Sequence, residues 1–185
     1  RTVFSWSIYD FANQPFTTIT LTFIYSTFFA DVIASGEIQG TVLWGRAVTI
    51  SSLIIAILSP IMGAIADTGG YRKLFLIFWS WVCIIATSIL WYPQVGQVTF
   101  ALIVFIIANI GFEFGTVFCN SYLSDLSTNK NIGKISGYAW GLGFVGGLLS
   151  LALSLGLFDV SNNPDNVRYI NLLVAIWFMV FSLPT

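Results

Sequence analysis

Apolar residues fill the chain in six long runs, each ended by a short stretch rich in Gly, Pro, Asn, Asp or charge. The runs cover about residues 5–30, 41–66, 74–92, 98–123, 135–158 and 169–183. A helix crosses the hydrocarbon layer with about 20 apolar residues, so each run predicts one crossing. The first is long enough to cross with tilt. The breaks are a polar turn over 31–40, a Gly- and charge-dense turn over 67–73, and Pro93 after the interfacial pair Trp91 and Tyr92. Polar loops over 124–134 and 159–168 follow, the second holding Pro164. The pattern predicts an all-α, polytopic membrane protein: a single bundle of six transmembrane helices over 1–185, with no room for a soluble domain.

Composition supports lipid as the solvent. Hydrophobic residues make up 57% of the chain and charged residues 8%, against about 25% charged in a soluble domain. Such a chain cannot cover its surface with polar groups in water. The net charge of −1, without a basic run, argues against a nucleic-acid partner, which needs clustered Lys and Arg. There is no His, which removes Ser–His and Cys–His catalysis and most zinc sites. Cys83 and Cys119 lie within apolar runs and read as small buried hydrophobes rather than a disulfide or metal pair. No metal and no cofactor is expected, and no enzyme activity. Arg1 stands where an initiator Met would, so the expectation is a fragment or processed product. The first run is interrupted by Asp10, Asn13, Gln14 and Pro15 and lacks an Ala-x-Ala site, so it predicts a mature helix rather than a signal peptide.

Charge bias sets an expected orientation. With a cytoplasmic N-terminus, Arg1, Arg72, Lys73, Lys130 and Lys134 fall on the inner side, and Arg46 and Arg168 on the outer. Basic residues favour the cytoplasmic side, so both ends are expected there. Arg46 can snorkel from the outer end of the second helix.

Polar groups inside apolar runs are the candidate chemistry, because ionisable residues are costly in lipid. Asp10, Asn13 and Thr17 recur at i, i+3 and i+7 on the first helix, with Gln14 beside them. Asn109, Glu113, Thr116 and Asn120 form a matching stripe on the fourth. At about 1.5 Å per residue, Asp10 and Glu113 fall at similar depth and could share a cavity for a small-molecule substrate or protons. The same stripes could instead only bind helices together. On the fifth helix, Gly137-x-x-x-Gly141 and Gly143-x-x-x-Gly147 have the small-residue spacing of close helix packing; a hinge is the alternative reading. Gln14-Pro15 and Ser59-Pro60 mark places where helical backbone bonding is interrupted.

The strongest local signal is Gly63-Ala-Ile-Ala-Asp67-Thr-Gly-Gly70-Tyr-Arg72-Lys73. Gly63 would let the helix end pack closely, Asp67 could cap the next turn, and Gly70 permits a positive-φ bend. The order of Gly, Asp, Gly and paired bases resembles the loop between helices two and three of the major facilitator superfamily. Thr68 stands where that pattern has a basic residue, and Tyr71 shifts the bases by one.

A closer resemblance spans nearly the whole chain. It rests on Ser5-Trp6 with Tyr9 to Phe16, on Ser59-Pro60 with Gly63 to Asp67, on Asn120 to Leu126, and on Ser136 to Gly143. These segments, in this order, resemble the autophagy-related vacuole effluxer branch of that superfamily, which has many uncharacterised bacterial members. The resemblance implies a twelve-helix, two-bundle secondary transporter of which this chain is the N-terminal half, the C-terminal six-helix half being absent. In yeast-type members it implies amino-acid efflux from the vacuole; in a bacterial member it implies only an uncharacterised transporter, in the inner or plasma membrane. It also implies that Asp125 pairs with Arg72 or Lys73, and that the loop with Gly63, Asp67, Gly70, Arg72, Lys73 and Asp125 acts as a conformational switch. The superfamily's usual arginine on helix four is absent.

Two other classes compete. An intramembrane aspartyl protease would use Tyr9-Asp10, but its second aspartate should follow Gly-x-Gly, and Gly141-Leu142-Gly143 is followed by Phe144. A non-transporting scaffold or half-size subunit fits a single bundle.

Overall fold

The computed structural model describes residues 2–128 and 130–184, apart from the side chains of Thr2 and of residues 66–69. Among the described residues there is no strand, as the apolar runs predict. The first span, Val3–Ile33, is built in four pieces: α1 (Thr2–Pro15), a π-helical segment (Phe16–Phe23), α2 (Tyr25–Phe28) and a second π-helical segment (Phe29–Ile33). Next come α3 (Glu37–Gly69), α4 (Arg72–Ile89), α5 (Val98–Ser121), the short α6 (Leu123–Leu126), α7 (Ile132–Leu157) and α8 (Asn166–Ser182). Among the described residues, five spans are long and apolar enough to cross a membrane. The sixth, α8, has 17 residues and reaches about 25 Å, near the thickness of the hydrocarbon layer.

The links are shorter than the polar residues suggest. Asp31 lies in the second π-helical segment, and only residues 34–36 separate it from α3. Gly40 makes this possible, since a Cβ there would sit 2.5 Å from Ala30 Cα. At its other end α3 runs past Asp67 to Gly69, so the expected end at about residue 66 is corrected. The bend falls on Gly70 at φ 66°, and Tyr71, not Asp67, is the N-cap residue of α4. The loop before α8 is fastened by Asp159, which accepts bonds from Asn162 Nδ2 (2.5 Å) and Asn162 N (3.0 Å). These bonds hold the exposed Asp159 carboxyl below the usual carboxylate range.

The first span is the hub. Pro15 has no N–H to offer the Phe11 carbonyl four residues back, and beyond it the helix widens. Ile24 N bonds Ile19 O at 2.9 Å and Ala34 N bonds Phe29 O at 2.8 Å, both five residues back. Such turns are rare and favour functional positions. Indole groups tie this span to its neighbours through backbone carbonyls. Trp177 Nε1 donates to Phe11 O (3.1 Å), Trp44 Nε1 to Leu21 O (3.2 Å), and Trp6 Nε1 to Cys119 O (2.7 Å). The most extensive helix pairings are α4 with α5 and α1 with α7. Cys83 and Cys119 are both buried, as their apolar setting predicts.

The outer surface is apolar. Leu53, Ile57 and Ile61 on α3, and Ile77, Phe78, Trp81 and Ile85 on α4, are all exposed. A water-soluble monomer rarely exposes so many large apolar side chains; lipid removes the penalty. The chain is an integral, multi-pass membrane protein.

Candidate functional site

Asp10, Asn13, Gln14, Thr116 and Asn120 line one cavity of about 190 Å³, together with Trp6, Phe112, Ser136, Trp140 and Gly143. Three helices build it. α1 offers Trp6, Asp10, Asn13 and Gln14 at helical spacing. α5 contributes Phe112, Thr116 and Asn120, each one turn apart, and α7 supplies Ser136, Trp140 and Gly143. Asn13 Nδ2 donates to Thr116 Oγ1 at 3.3 Å, and Thr116 Oγ1 donates to Phe112 O at 3.0 Å. Asn13 is buried, Asp10 half-buried and Asn120 exposed. Asp10 is the one ionisable side chain in the lining. The cavity therefore joins a carboxylate, amides and hydroxyls to three aromatic rings. Such a mixture can hold a small polar solute by hydrogen bonds and charge, with ring faces that can meet a cation.

Other residues of the two stripes stand apart. Asn109 is buried, and its Nδ2 donates to Ser51 Oγ on α3 at 2.8 Å, while its Oδ1 has no hydrogen-bond partner among the described residues. Seven residues, about 10 Å, separate it from Thr116, and at that height α5 packs on α3. Glu113 and Thr17 are half-buried and are not in the cavity lining. Asn109 thus binds α5 to α3, and Asp10, Asn13, Gln14, Thr116 and Asn120 line one cavity without Glu113, which the shared-cavity expectation pairs with Asp10.

The glycine stripe also divides. A Cβ at Gly146 would lie 2.5 Å from Phe11 O, and one at Gly147 would lie 2.7 Å from Thr18 Oγ1. At Gly143 it would meet Asp10 Cβ at 3.2 Å. These three allow α7 to lie directly against α1 and set the backbone behind Asp10. Gly137 and Gly141 have nothing within 4 Å of a Cβ, so the packing expectation is corrected for them. Their face points away from α1. Gly63 likewise meets nothing within that distance, which corrects its expected role in close packing.

At the turn between α3 and α4, Arg72 Nη1 lies 3.0 Å from Asp125 Oδ2, joining the start of α4 to α6. This is the pairing that the resemblance implies. Lys73 is exposed. The side chain of Asp67 lies outside the described residues.

Sequence reasoning missed two features. Trp6 and Trp140 line the cavity, although Trp6 and Asp10, and Ser136 and Trp140, each share the i, i+4 spacing that would have shown it. Arg168 reads in sequence as an outer-side charge, yet it is 7% exposed. It donates from Nη1 to the carbonyls of Trp91 (3.0 Å) and Pro93 and from Nε to Asp165 Oδ1 (3.0 Å), and its guanidinium lies 5.4 Å from the centre of the Phe28 ring. No local signal reveals partners more than 70 residues away.

Comparison with known proteins agrees with this architecture. An uncharacterized MFS-type transporter of Bacillus subtilis (strain 168), YxiO, is 27% identical over 190 residues, covering 97% of this chain and 44% of the relative. The chain thus spans less than half the length of that relative. No solved structure matches it. The family described as vacuole effluxer Atg22 like matches residues 32–133, more than half of the chain. The chain belongs to the Atg22-like vacuole effluxer family.

Proposed function

We propose that this bundle is the N-terminal half of a secondary active transporter that moves a small polar solute by alternating access, and that amino acids are its substrate class. The observation that carries the reading is the placing of Asp10 in a polar, aromatic-walled cavity among three membrane spans. The designation of the Bacillus relative as an MFS-type transporter supports the class of activity. In this reading a C-terminal six-helix half completes the cavity from the opposite side. Asp10 holds the solute or a proton, Asn13, Gln14, Thr116 and Asn120 orient the solute, and Glu113 is a second proton acceptor. The turn with Gly63, Asp67, Gly70, Arg72, Lys73 and Asp125 controls the change between inward- and outward-open forms. Both ends of the bundle face the cytoplasm, in the inner membrane of a bacterium or the vacuolar membrane of a fungus.

The test is counterflow of a labelled amino-acid panel into proteoliposomes holding the full-length protein. Accumulation of at least one amino acid above protein-free vesicles supports the proposal. Specific amino-acid binding without flux would favour the rival reading, a non-transporting scaffold or half-size subunit. Flux of another polar solute alone would overturn the substrate class and keep the transporter.

A further inference from the structure

A second recess lies on the other side of α1 from the cavity. Tyr9 lines it while its neighbour Asp10 lines the cavity, as expected for adjacent residues turned about 100° apart on a helix. The recess holds about 300 Å³ and lies between α4 and α8. Its walls are mainly apolar: Leu76, Ile77 and Ile84 of α4 face Met179, Ser182 and Leu183 at the end of α8. Its floor is closed by the Tyr9 hydroxyl and Ser80 Oγ, 2.8 Å apart, whose mutual bond leaves little polar demand on an occupant. Lys73 stands at one end, exposed, at the start of α4. From Lys73 to Ile84 the groove follows α4 for about 16 Å.

We propose that this groove binds one anionic phospholipid, with an acyl chain between α4 and α8 and the headgroup phosphate on Lys73. Three features select that occupant. The groove opens among side chains that are exposed and apolar, including Ile77 and Trp81, so lipid is the medium at its mouth. Its cation is at the end of a span, at headgroup level, where basic residues attract anionic lipids. Its length suits a hydrocarbon chain, and most of its wall is aliphatic or aromatic, with the Ser182 hydroxyl turned to the Met179 carbonyl. Arg72 beside it is engaged with Asp125, which leaves Lys73 as the charge that distinguishes one headgroup from another.

The experiment is native mass spectrometry of the full-length protein in detergent, titrated with phosphatidylglycerol or with phosphatidylcholine. The wild type retains one phosphatidylglycerol in preference to phosphatidylcholine. Lys73→Gln lowers that preference about fivefold, the weight of one basic residue at an anionic surface. Ile77→Trp, which fills the groove from an exposed position, lowers retention of both lipids. Both variants change exposed side chains, and an unchanged gel-filtration profile confirms that each is folded. Equal retention of the two lipids by the wild type, or a preference unchanged in Lys73→Gln, overturns the proposal. So does undiminished retention in Ile77→Trp, which would place the lipid elsewhere or the groove under the remainder of the protein.

Discussion

Trp177 Nε1 on α8 donates a 3.1 Å hydrogen bond to Phe11 O on α1, the carbonyl whose usual helical donor is lost at Pro15. A carbonyl in the membrane has no water to fall back on, so the indole makes the proline tolerable there. The same carbonyl would lie 2.5 Å from a Cβ at Gly146, so three spans meet at one backbone atom. Trp177→Phe keeps the ring packing on Phe11 and Phe181 and deletes the donor. It should lower stability by about 1 kcal/mol, the net worth of such a bond, read as a lower melting temperature in detergent.

Gly146 and Gly141 offer a paired test of the α1–α7 contact. Gly146→Ala places a methyl against the Phe11 backbone and should cost about 1–3 kcal/mol, as overpacking does. Gly141→Ala meets nothing and should be neutral or stabilising by up to about 1 kcal/mol through helix propensity. Thermal unfolding of the two variants side by side decides it; an equal loss in both would remove the contact as the reason.

Much of this architecture is legible in the residues. The helical spans follow from the six apolar runs, five of which give helices long enough to cross a membrane, and Gly70 stands where the turn needs a positive φ. Other features depend on distant partners. Gly137–Gly141 and Gly143–Gly147 have the same spacing, and only the azimuth of α7 against α1 decides which pair is buried. Pro15 marks the break in the first span, but the π-helical turns beyond it are set by packing. Glu113 reads as the equal of Asp10 by depth, yet the cavity lining follows Phe112, Thr116 and Asn120, one turn apart.

Arg168 should be the most sensitive basic residue. Its guanidinium links α8 to the α4–α5 loop through the carbonyls of Trp91 and Pro93. Lysine cannot reproduce that fork. Arg168→Lys should destabilise by about 2 kcal/mol, within the range for hydrogen bonds to a charged group, measured by chemical denaturation in detergent.

The Arg72–Asp125 pair should behave differently. Its side chains are 30% and 61% exposed, and an exposed pair contributes about 0–1 kcal/mol. Arg72→Gln and Asp125→Asn should therefore leave the melting temperature nearly unchanged while slowing transport by the full-length protein without weakening substrate affinity. An affinity loss at unchanged turnover would contradict a switching role.

Topology is checked by thiol labelling of the full-length protein in intact cells. Ser161→Cys, between α7 and α8, should react with an impermeant reagent from outside, and Thr128→Cys, between α6 and α7, should not. The reverse pattern would invert the bundle.

The most direct measurement concerns the cavity itself. Thr116→Cys and Asn120→Cys place thiols in its lining, and Ile107→Cys places one on the opposite, apolar face of α5, about 180° from Thr116. A charged, membrane-impermeant thiol reagent reaches only cysteines in contact with water, since the reactive form is the thiolate. In inverted membrane vesicles of the full-length protein, the two cavity cysteines should be modified and Ile107→Cys should stay unmodified. Modification of Ile107→Cys alone, or of none of the three in either vesicle orientation, would contradict a water-filled solute path past Asp10.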